Sequence, residues 1–419
     1  MKNMLKLALL YHFIFMIDSS SNAQNTTSPY SILGIGDIET KDFGRWYGMG
    51  STSLALSSQY YTNTSNPASL VDLSERMMMF DIANRGKNAR FQYAGSDTFT
   101  ATTKDFSVRR ISLSFKPNKK WAFSIGLKPY STINYLLYET SPAAANATAL
   151  VKQVDGSGGL NQLYLSYARK LHKNLSVGLT TSYYFGSSNI NTQYYGSELT
   201  TTIVRQQYNV MNAYQFLAGL QYAKKVSTAV THRLGLTLTN AAPIKQRLET
   251  EYFSSDVSIK KTTVTKKDFQ LPLTLGLGYA LVLNDQVTIS ADAVYSDWKK
   301  QKVNYPNSYA IPSGRLSVGF EYVSQRKINN YWYENWFMQA GLSAERNYFS
   351  VQGKPLDSYA MTVGFGKNIS GRISIYGGYE YGIKGNSNRN QITERFSQYT
   401  LGLTLKEFWF DVKKYGRYQ

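Results

Sequence analysis

Three histidines, two glycine pairs, a few aspartates and one lysine–proline step are the residues of this 419-residue chain whose types and spacing invite a chemical reading. A hydrolytic base needs a serine or an acid within hydrogen-bond reach, close to where the substrate sits. His12 falls in an N-terminal segment that reads as a leader, and His172 and His232 sit in or beside expected turns, so none is placed for that work. Gly34-Ile35-Gly36 and Gly48-Met49-Gly50 are not phosphate loops, because neither follows a strand and opens a long helix with a lysine. Tight backbone turns account for them better. Asp285, Asp292 and Asp297 lack the spacing of a calcium loop. The chain therefore reads as no enzyme, with no catalytic residues, no metal and no cofactor expected. What remains is Lys128-Pro129-Tyr130 with Asn134 beyond it. It offers a lysine able to meet a carboxylate, beside a proline that cannot donate to a sheet.

The elements that must position these residues are strands. Tyr (34) and Gly (31) far outnumber Pro (10), a mixture that favours strands and interfacial aromatic surface. A mean hydropathy of −0.35 excludes a bundle of transmembrane helices. The absence of cysteine excludes disulfides, thiolate metal sites and a lipid-modified N-terminal cysteine. From about residue 76 apolar residues alternate with small or polar ones. Leu271, Leu273, Leu275, Leu277, Tyr279 and Leu281 fall on one face, and Pro272, Thr274, Gly276, Gly278 and Ala280 on the other. Val287–Tyr295, Trp121–Leu127 and Tyr399–Leu405 repeat this period of two, which is that of a strand.

Short polar turns near 117–120, 172–174, 283–286 and 367–371 alternate with longer connectors near 139–158, 188–202, 303–311 and 384–390. That alternation belongs to bacterial transmembrane barrels. The count between Arg76 and Phe410 is about fourteen strands. A soluble sandwich would carry a second apolar face and shorter strands, whereas here the opposite face is Gly, Ser, Thr, Lys and Asp. Tyr183-Tyr184-Phe185, Tyr331-Trp332-Tyr333, Trp336-Phe337 and Phe408-Trp409-Phe410 read as interfacial aromatic clusters.

At the N-terminus, Lys2 and Lys6 precede an apolar run, Leu7–Ile17. Ser21-Asn22-Ala23 then supplies a cleavage site, so residues 1–23 read as a signal peptide. Residues 24–75 do not alternate. They form a Gly- and Ser-rich stretch with one short helix expected near 50–58, and their place ahead of the first strand suggests a hatch folded into the lumen. The barrel occupies 76–410, and 411–419 form a C-terminal periplasmic extension. The net charge of +19 recurs in steps such as Arg109-Arg110, Lys260-Lys261, Lys299-Lys300 and Lys413-Lys414. A leader and a barrel argue against nucleic acid. Outer-leaflet phosphate, an acidic partner or plain loop solvation remain as readings of the charge.

The run Gly48-Met49-Gly50 with Leu54-Ala55, followed by Asn66-Pro67-Ala68-Ser69-Leu70 directly before the strands, resembles the long-chain fatty-acid transporter (FadL/TodX) family. Leu271-Pro272-Leu273-Thr274-Leu275-Gly276 and Ala293-Val294-Tyr295-Ser296-Asp297-Trp298 are similar to strands of that family. The resemblance implies an all-β, fourteen-stranded antiparallel transmembrane barrel in the bacterial outer membrane, with an N-terminal luminal hatch. It further implies passage of hydrophobic small molecules, and a kinked third strand that opens the wall sideways. Lys128, Pro129, Tyr130 and Asn134 are then candidates for the gate and ligand site, and Gly48, Gly50, Asn66, Pro67 and Ala68 for the hatch. Expected partners are outer-membrane lipid and a hydrophobic small molecule. The alternative is a barrel of this type acting as an accessory subunit of a protein-secretion or surface-assembly machine, with a protein partner. The basic surface and the C-terminal extension favour that alternative.

Overall fold

A computed structural model describes residues 28–408, apart from 94–98, 142–149, 196–201, 255–256, 300–307, 329 and 387–390. The expected signal peptide and the 411–419 extension therefore lie outside the described residues. Seventeen strands follow the N-terminal segment, which itself holds the two-residue β1 (Asp37–Ile38). They are β2 (Met77–Tyr93), β3 (Phe99–Phe115), β4 (Trp121–Ser141), β5 (Leu150–His172), β6 (Leu175–Tyr195) and β7 (Ile203–Lys225). Next come β8 (Val230–Thr239), β9 (Ala242–Ser254), β10 (Val257–Leu271), β11 (Leu273–Leu283), β12 (Val287–Asp297) and β13 (Ser308–Ala310). The last are β14 (Ser313–Ile328), β15 (Tyr331–Val351), β16 (Lys354–Ser370), β17 (Ile373–Lys384) and β18 (Thr393–Phe408).

The strands form a closed antiparallel barrel of fourteen staves. β8 and β9 are two halves of one stave, both paired to β7, and β10 and β11 are two halves of the next. β13 is a short piece laid on the end of β15. Pairing of β18 with β2 along Thr393–Phe408 closes the ring, so that the first and last staves leave no free edge. Leu236, Leu275, Leu277, Leu316, Met361 and Leu401 are among many apolar side chains on its outer face, and such an apolar band suits a lipid environment.

Four expectations are corrected. Leu271 does not share the outer face of Leu273–Leu281. Pro272 separates β10 from β11, the phase changes there, and Leu271 is buried inside while Leu273 points out. The expected connectors 139–158 and 188–202 are mostly strand, since β4 runs to Ser141, β5 starts at Leu150 and β6 runs to Tyr195; polar residues continue the ladder beyond the apolar belt. No helix forms near 50–58. The N-terminal segment instead makes three 3-10 turns, Pro29–Ile32, Arg45–Met49 and Pro67–Asp72. Finally, the aromatic clusters divide between faces: Tyr184 and Phe337 are buried in the lumen, while Phe185 and Trp332 point outward, as a period of two requires of neighbours.

Candidate functional site

Residues 28–75 lie within the ring of strands, and their contacts reach opposite walls. Every charged side chain from Asp37 to Arg45 is answered by the wall. Asp37 meets Lys384 at 2.9 Å, Glu39 meets Arg85 at 2.9 Å, and Lys41 meets Glu380 at 2.5 Å. Asp42 meets Arg110 at 2.8 Å, and Arg45 meets both Glu321 (3.1 Å) and Glu334 (2.6 Å). Arg110 also holds Asp81 at 2.7 Å, and Arg85 holds Asp105 at 2.6 Å. Two adjacent arginines reach the lumen because β3 carries a bulge: Ala83 pairs with Arg110 and Asn84 with Val108, leaving Arg109 as the extra residue. Buried pairs of this kind fix one register more than they add stability. Burial alone would raise the Asp37 carboxyl, but Lys384 and Lys87 overcome this and hold it below its ordinary value.

Below the charged stretch the contact is backbone on backbone. A methyl group on Gly319 of β14 would lie 2.5 Å from the Met49 carbonyl oxygen, and one on Gly178 of β6 would lie 2.6 Å from the Ala68 nitrogen. Gly48 rests on Gly364 of β16 with the same closeness. Gly50, at φ +68°, closes the Arg45–Met49 turn in the left-handed region, and its N–H donates to Thr362 Oγ1 at 2.8 Å. Asn66 caps Pro67–Asp72 by accepting from the Ala68 N–H at 3.1 Å, while its amide donates to the carbonyls of Leu54 (2.8 Å) and Leu220 (3.1 Å). Asp292, which has no calcium-loop spacing, accepts the N–H groups of Ser53 (2.6 Å) and Leu54 (3.0 Å). Sequence reasoning did not find that role, because a strand aspartate gives no sign of what backbone it faces.

At the other end, Tyr30, Leu33 and Ile35 pack into a luminal apolar cluster with Leu160, Tyr184, Phe269 and Trp298. A cavity of about 110 Å³ lined by charged residues, among them Asp37, Lys41, Arg85 and Glu394, lies beside the charged stretch. The two large apolar hollows, about 1200 and 1060 Å³, are lined mainly by outward residues such as Leu236, Leu277, Leu316 and Tyr359.

The wall parts at the third stave. β3 and β4 pair only from Ile111–Phe115 to Phe123–Leu127. Above Leu127 the freed edge of β4 is taken by the N-terminal segment instead: Asp37 and Ile38 pair with Thr132 and Ser131, the Glu39 N–H donates to Tyr130 O, and the Ser28 N–H donates to Asn134 O (both 2.8 Å). Pro129 stands where the β3 ladder stops and has no N–H to continue it. Against β5 the register skips from Pro129 to Ser131, so Tyr130 is a bulge residue and packs edge-on against Tyr184, with centroids 4.7 Å apart. The Lys128 ammonium lies 5.9 Å from the Tyr164 ring centroid. Lys128, Pro129, Tyr130 and Asn134 are thus neighbours on one stretch of β4, with Tyr130 and Asn134 held by the N-terminal segment through their main-chain carbonyls. Gly48 and Gly50 of that segment seat on β15 and β16, whereas Asn66, Pro67 and Ala68 seat on β6 and β7. Ser31 and Asp105, which help build this region, were not foreseen; each depends on a register that a period of two does not reveal. His232 Nδ1 sits 2.7 Å from the Tyr279 hydroxyl on an exposed face, away from the lumen.

Comparison with known proteins agrees with this architecture. A Pseudomonas aeruginosa FadL homologue superposes with a TM-score of 0.62 at 12% identity, covering 89% of this chain and 99% of its own. The Pseudomonas putida toluene transporter TodX gives 0.58 at 15% identity, covering 87% and 97%. CymD, a monoaromatic hydrocarbon channel, gives 0.56 at 14%, covering 93% and 99%. At these identities the likeness establishes the fold, a FadL-type barrel. No curated protein matches the chain. A protein-family model described as BamG matches residues 4–416.

Proposed function

The chain belongs to the BamG family, and from that premise we propose that it is a plugged outer-membrane barrel serving as an accessory subunit of a protein-assembly machine. The observation that carries this reading is the charged stretch Asp37–Arg45, in which each of the five charged side chains is paired to the wall. A plug that must leave or slide to pass cargo would have to break several buried pairs at once, each costly to uncover. The glycine contacts at Gly178, Gly319 and Gly364 support the same reading, since backbone seated on backbone leaves no space for a ligand. The family name points the same way, toward a protein partner. In this reading residues 28–75 are a fixed hatch, and Asn66-Pro67-Ala68 is its seat on β6 and β7.

One observation favours a second reading, passage of a hydrophobic, fatty-acid-like molecule: the parting of β3 from β4 above Leu127. Lys128, Pro129, Tyr130 and Asn134 would then line a lateral gate, with Lys128 meeting an acidic head group. Purification of the native protein in a mild detergent, with lipid extraction and protein mass spectrometry on one sample, separates the two. A stoichiometric protein partner and no bound lipid-like molecule is the expected result. A stoichiometric hydrophobic ligand without a partner overturns the accessory reading.

A further inference from the structure

The short turns of the wall gather at one end of the barrel, which is the periplasmic end in barrels of this kind. Three of them stand side by side and are bonded to one another. The Lys170 N–H donates to Lys120 O (2.9 Å) between the β3–β4 and β5–β6 turns, and the Ala223 N–H donates to Asn174 O (2.9 Å) between the β5–β6 and β7–β8 turns. This arc is basic. It carries Lys119 and Lys120, Lys170 and Lys173, and Lys224 and Lys225, with no acid in any of the three turns. Lys170 reaches Asp72 of the N-terminal segment at 3.9 Å, and Lys225 reaches Asp285 at 3.8 Å. Lys119, Lys120, Lys173 and Lys224 are exposed and, among the described residues, make no ion pair. Residues 409–419, which follow β18 in sequence, hold Lys413, Lys414 and Arg417 against the single acid Asp411, so they bring more cations than acids. On the inner side of the arc, Lys116 donates to the Val71 carbonyl at 2.5 Å and Arg233 meets Asp72 at 3.6 Å, which ties the foot of the plug to this rim.

A girdle of cations at headgroup depth is common in membrane barrels, and here its level is marked. On the outer face Trp121 packs on Tyr167 with centroids 5.1 Å apart, and the Arg169 guanidinium lies 4.9 Å from the Trp121 ring centroid. Lys119, Lys120 and Lys173 lie in the turns beyond that level. Apolar side chains lie beyond it too. Leu171 follows Arg169 on the outer face of β5, and Val226 follows Lys224 past the end of β7; they are 54% and 62% exposed. A lipid surface accounts for lysines near the phosphates but gives no place to apolar residues past the cations. A protein surface with acids around apolar pockets accounts for both.

We propose that this arc of three turns, from Lys119 to Val226, docks the acidic face of a periplasmic partner protein. The proposal rests on the accessory-subunit reading and gives that partner a place and a charge. Lys119, Lys120, Lys173 and Lys224 select an acidic surface and speed its encounter, while Leu171 and Val226 anchor it. A partner seated there covers the end of the barrel at which Val71 and Asp72 fasten the plug.

The test is made with the full chain in its own membrane. Because the sequence has no cysteine, Lys173→Cys and Thr228→Cys each supply one thiol on the arc, and Lys260→Cys supplies one at the outer end. After labelling with a benzophenone maleimide and irradiation, both arc thiols are expected to join one and the same partner within an acidic segment, read by mass spectrometry, and Lys260→Cys is not. The variant K119E/K120E/K173E/K224E, changed only at exposed positions, should keep about a tenth or less of that partner through purification in mild detergent. K260E/K261E/K266E/K267E, which reverses as many lysines at the outer end, should keep all of it, and raised salt should release it from the wild type. Heat-modifiable migration on gels verifies that each variant is a folded barrel. A partner that survives the four arc reversals undiminished, crosslinks that fall on a basic or neutral segment, or crosslinks from the arc to lipid alone each overturn the docking surface and leave the accessory reading standing. A wild type that purifies with no protein partner overturns both.

Discussion

Arg110 shows how much one side chain carries in this lumen. It is buried between Asp81 of β2 and Asp42 of the N-terminal segment, and also reaches the Thr62 carbonyl at 3.4 Å. Truncating it leaves two carboxylates buried without a cation, and removing one member of a buried pair costs about 3–5 kcal/mol. Arg110→Ala should therefore lower the urea midpoint of the folded barrel markedly, while Arg110→Met combined with Asp81→Asn and Asp42→Asn recovers much of the loss because no lone charge remains. Equal midpoints for the single and triple variants would count against this account. Gly319 makes the complementary case: a methyl group there meets the Met49 carbonyl oxygen at 2.5 Å and the Met49 Cβ at 2.6 Å. Gly319→Ala should cost about 1–3 kcal/mol and speed proteolysis of residues 28–75 without unfolding the wall, which limited proteolysis followed by mass spectrometry reads directly. At this scale the sequence was only partly legible. Arg109-Arg110 stood out as a basic step, but alternation assigns neighbours to opposite faces, and only the β3 bulge turns both inward.

At the scale of elements, period-two patterning located the staves well and their phase less well. Trp121–Leu127 and Val287–Tyr295 lie in strands as read, and Pro129 does mark the end of the β3–β4 ladder. The inner face then switches from even to odd positions across the Tyr130 bulge, and it changes again at Pro272. Neither change is visible without a partner strand to count against. The N-terminal segment was legible as non-strand and Gly-rich, but not its docking. The charges of 37–45 run Asp37, Glu39, Lys41, Asp42, Arg45 with no repeating order of sign, and each has a wall residue of opposite charge to meet. Asp37 gives this contact a pH dependence. Its carboxyl is held below its ordinary value, so its contribution to docking is fully present above the ordinary carboxylate range, near pH 4, and is lost as pH falls through the depressed value. The share of docking that Asp37 carries, read as the difference in hatch proteolysis between the wild type and Asp37→Asn, should be unchanged from pH 8 to 5 and shrink only in stronger acid. Asp37→Asn, which removes the titration and leaves Lys384 buried, should show faster cleavage already at pH 7. Cleavage that rises between pH 7 and 5 would point to another group.

For the whole molecule the question is whether the segment inside the barrel moves when the protein works. A FadL-type fold does not answer it, because the same barrel can hold a mobile plug or a fixed one. The chain offers a clean way to ask, since it contains no cysteine. Thr52 of the N-terminal segment and Ser290 of β12 have hydroxyl oxygens 2.6 Å apart, both buried. Side chains that meet this closely lie near the separation a disulfide spans, and Thr52→Cys with Ser290→Cys would tie the plug to the wall without adding bulk. If the protein is a fixed-plug subunit, the oxidised form should retain its protein partner and its cellular activity, with the reduced form indistinguishable. If hydrophobic cargo passes by displacement of the plug, oxidation should abolish flux into liposomes and reduction should restore it. A locked form that keeps its flux would place the route in the parted wall between β3 and β4, beside a plug that stays where it is. The ion pairs from Asp37 to Arg45 lead us to expect the first outcome, because their partners lie on five different strands, β2, β3, β14, β15 and β17. No single shift of the plug releases one pair while preserving the others.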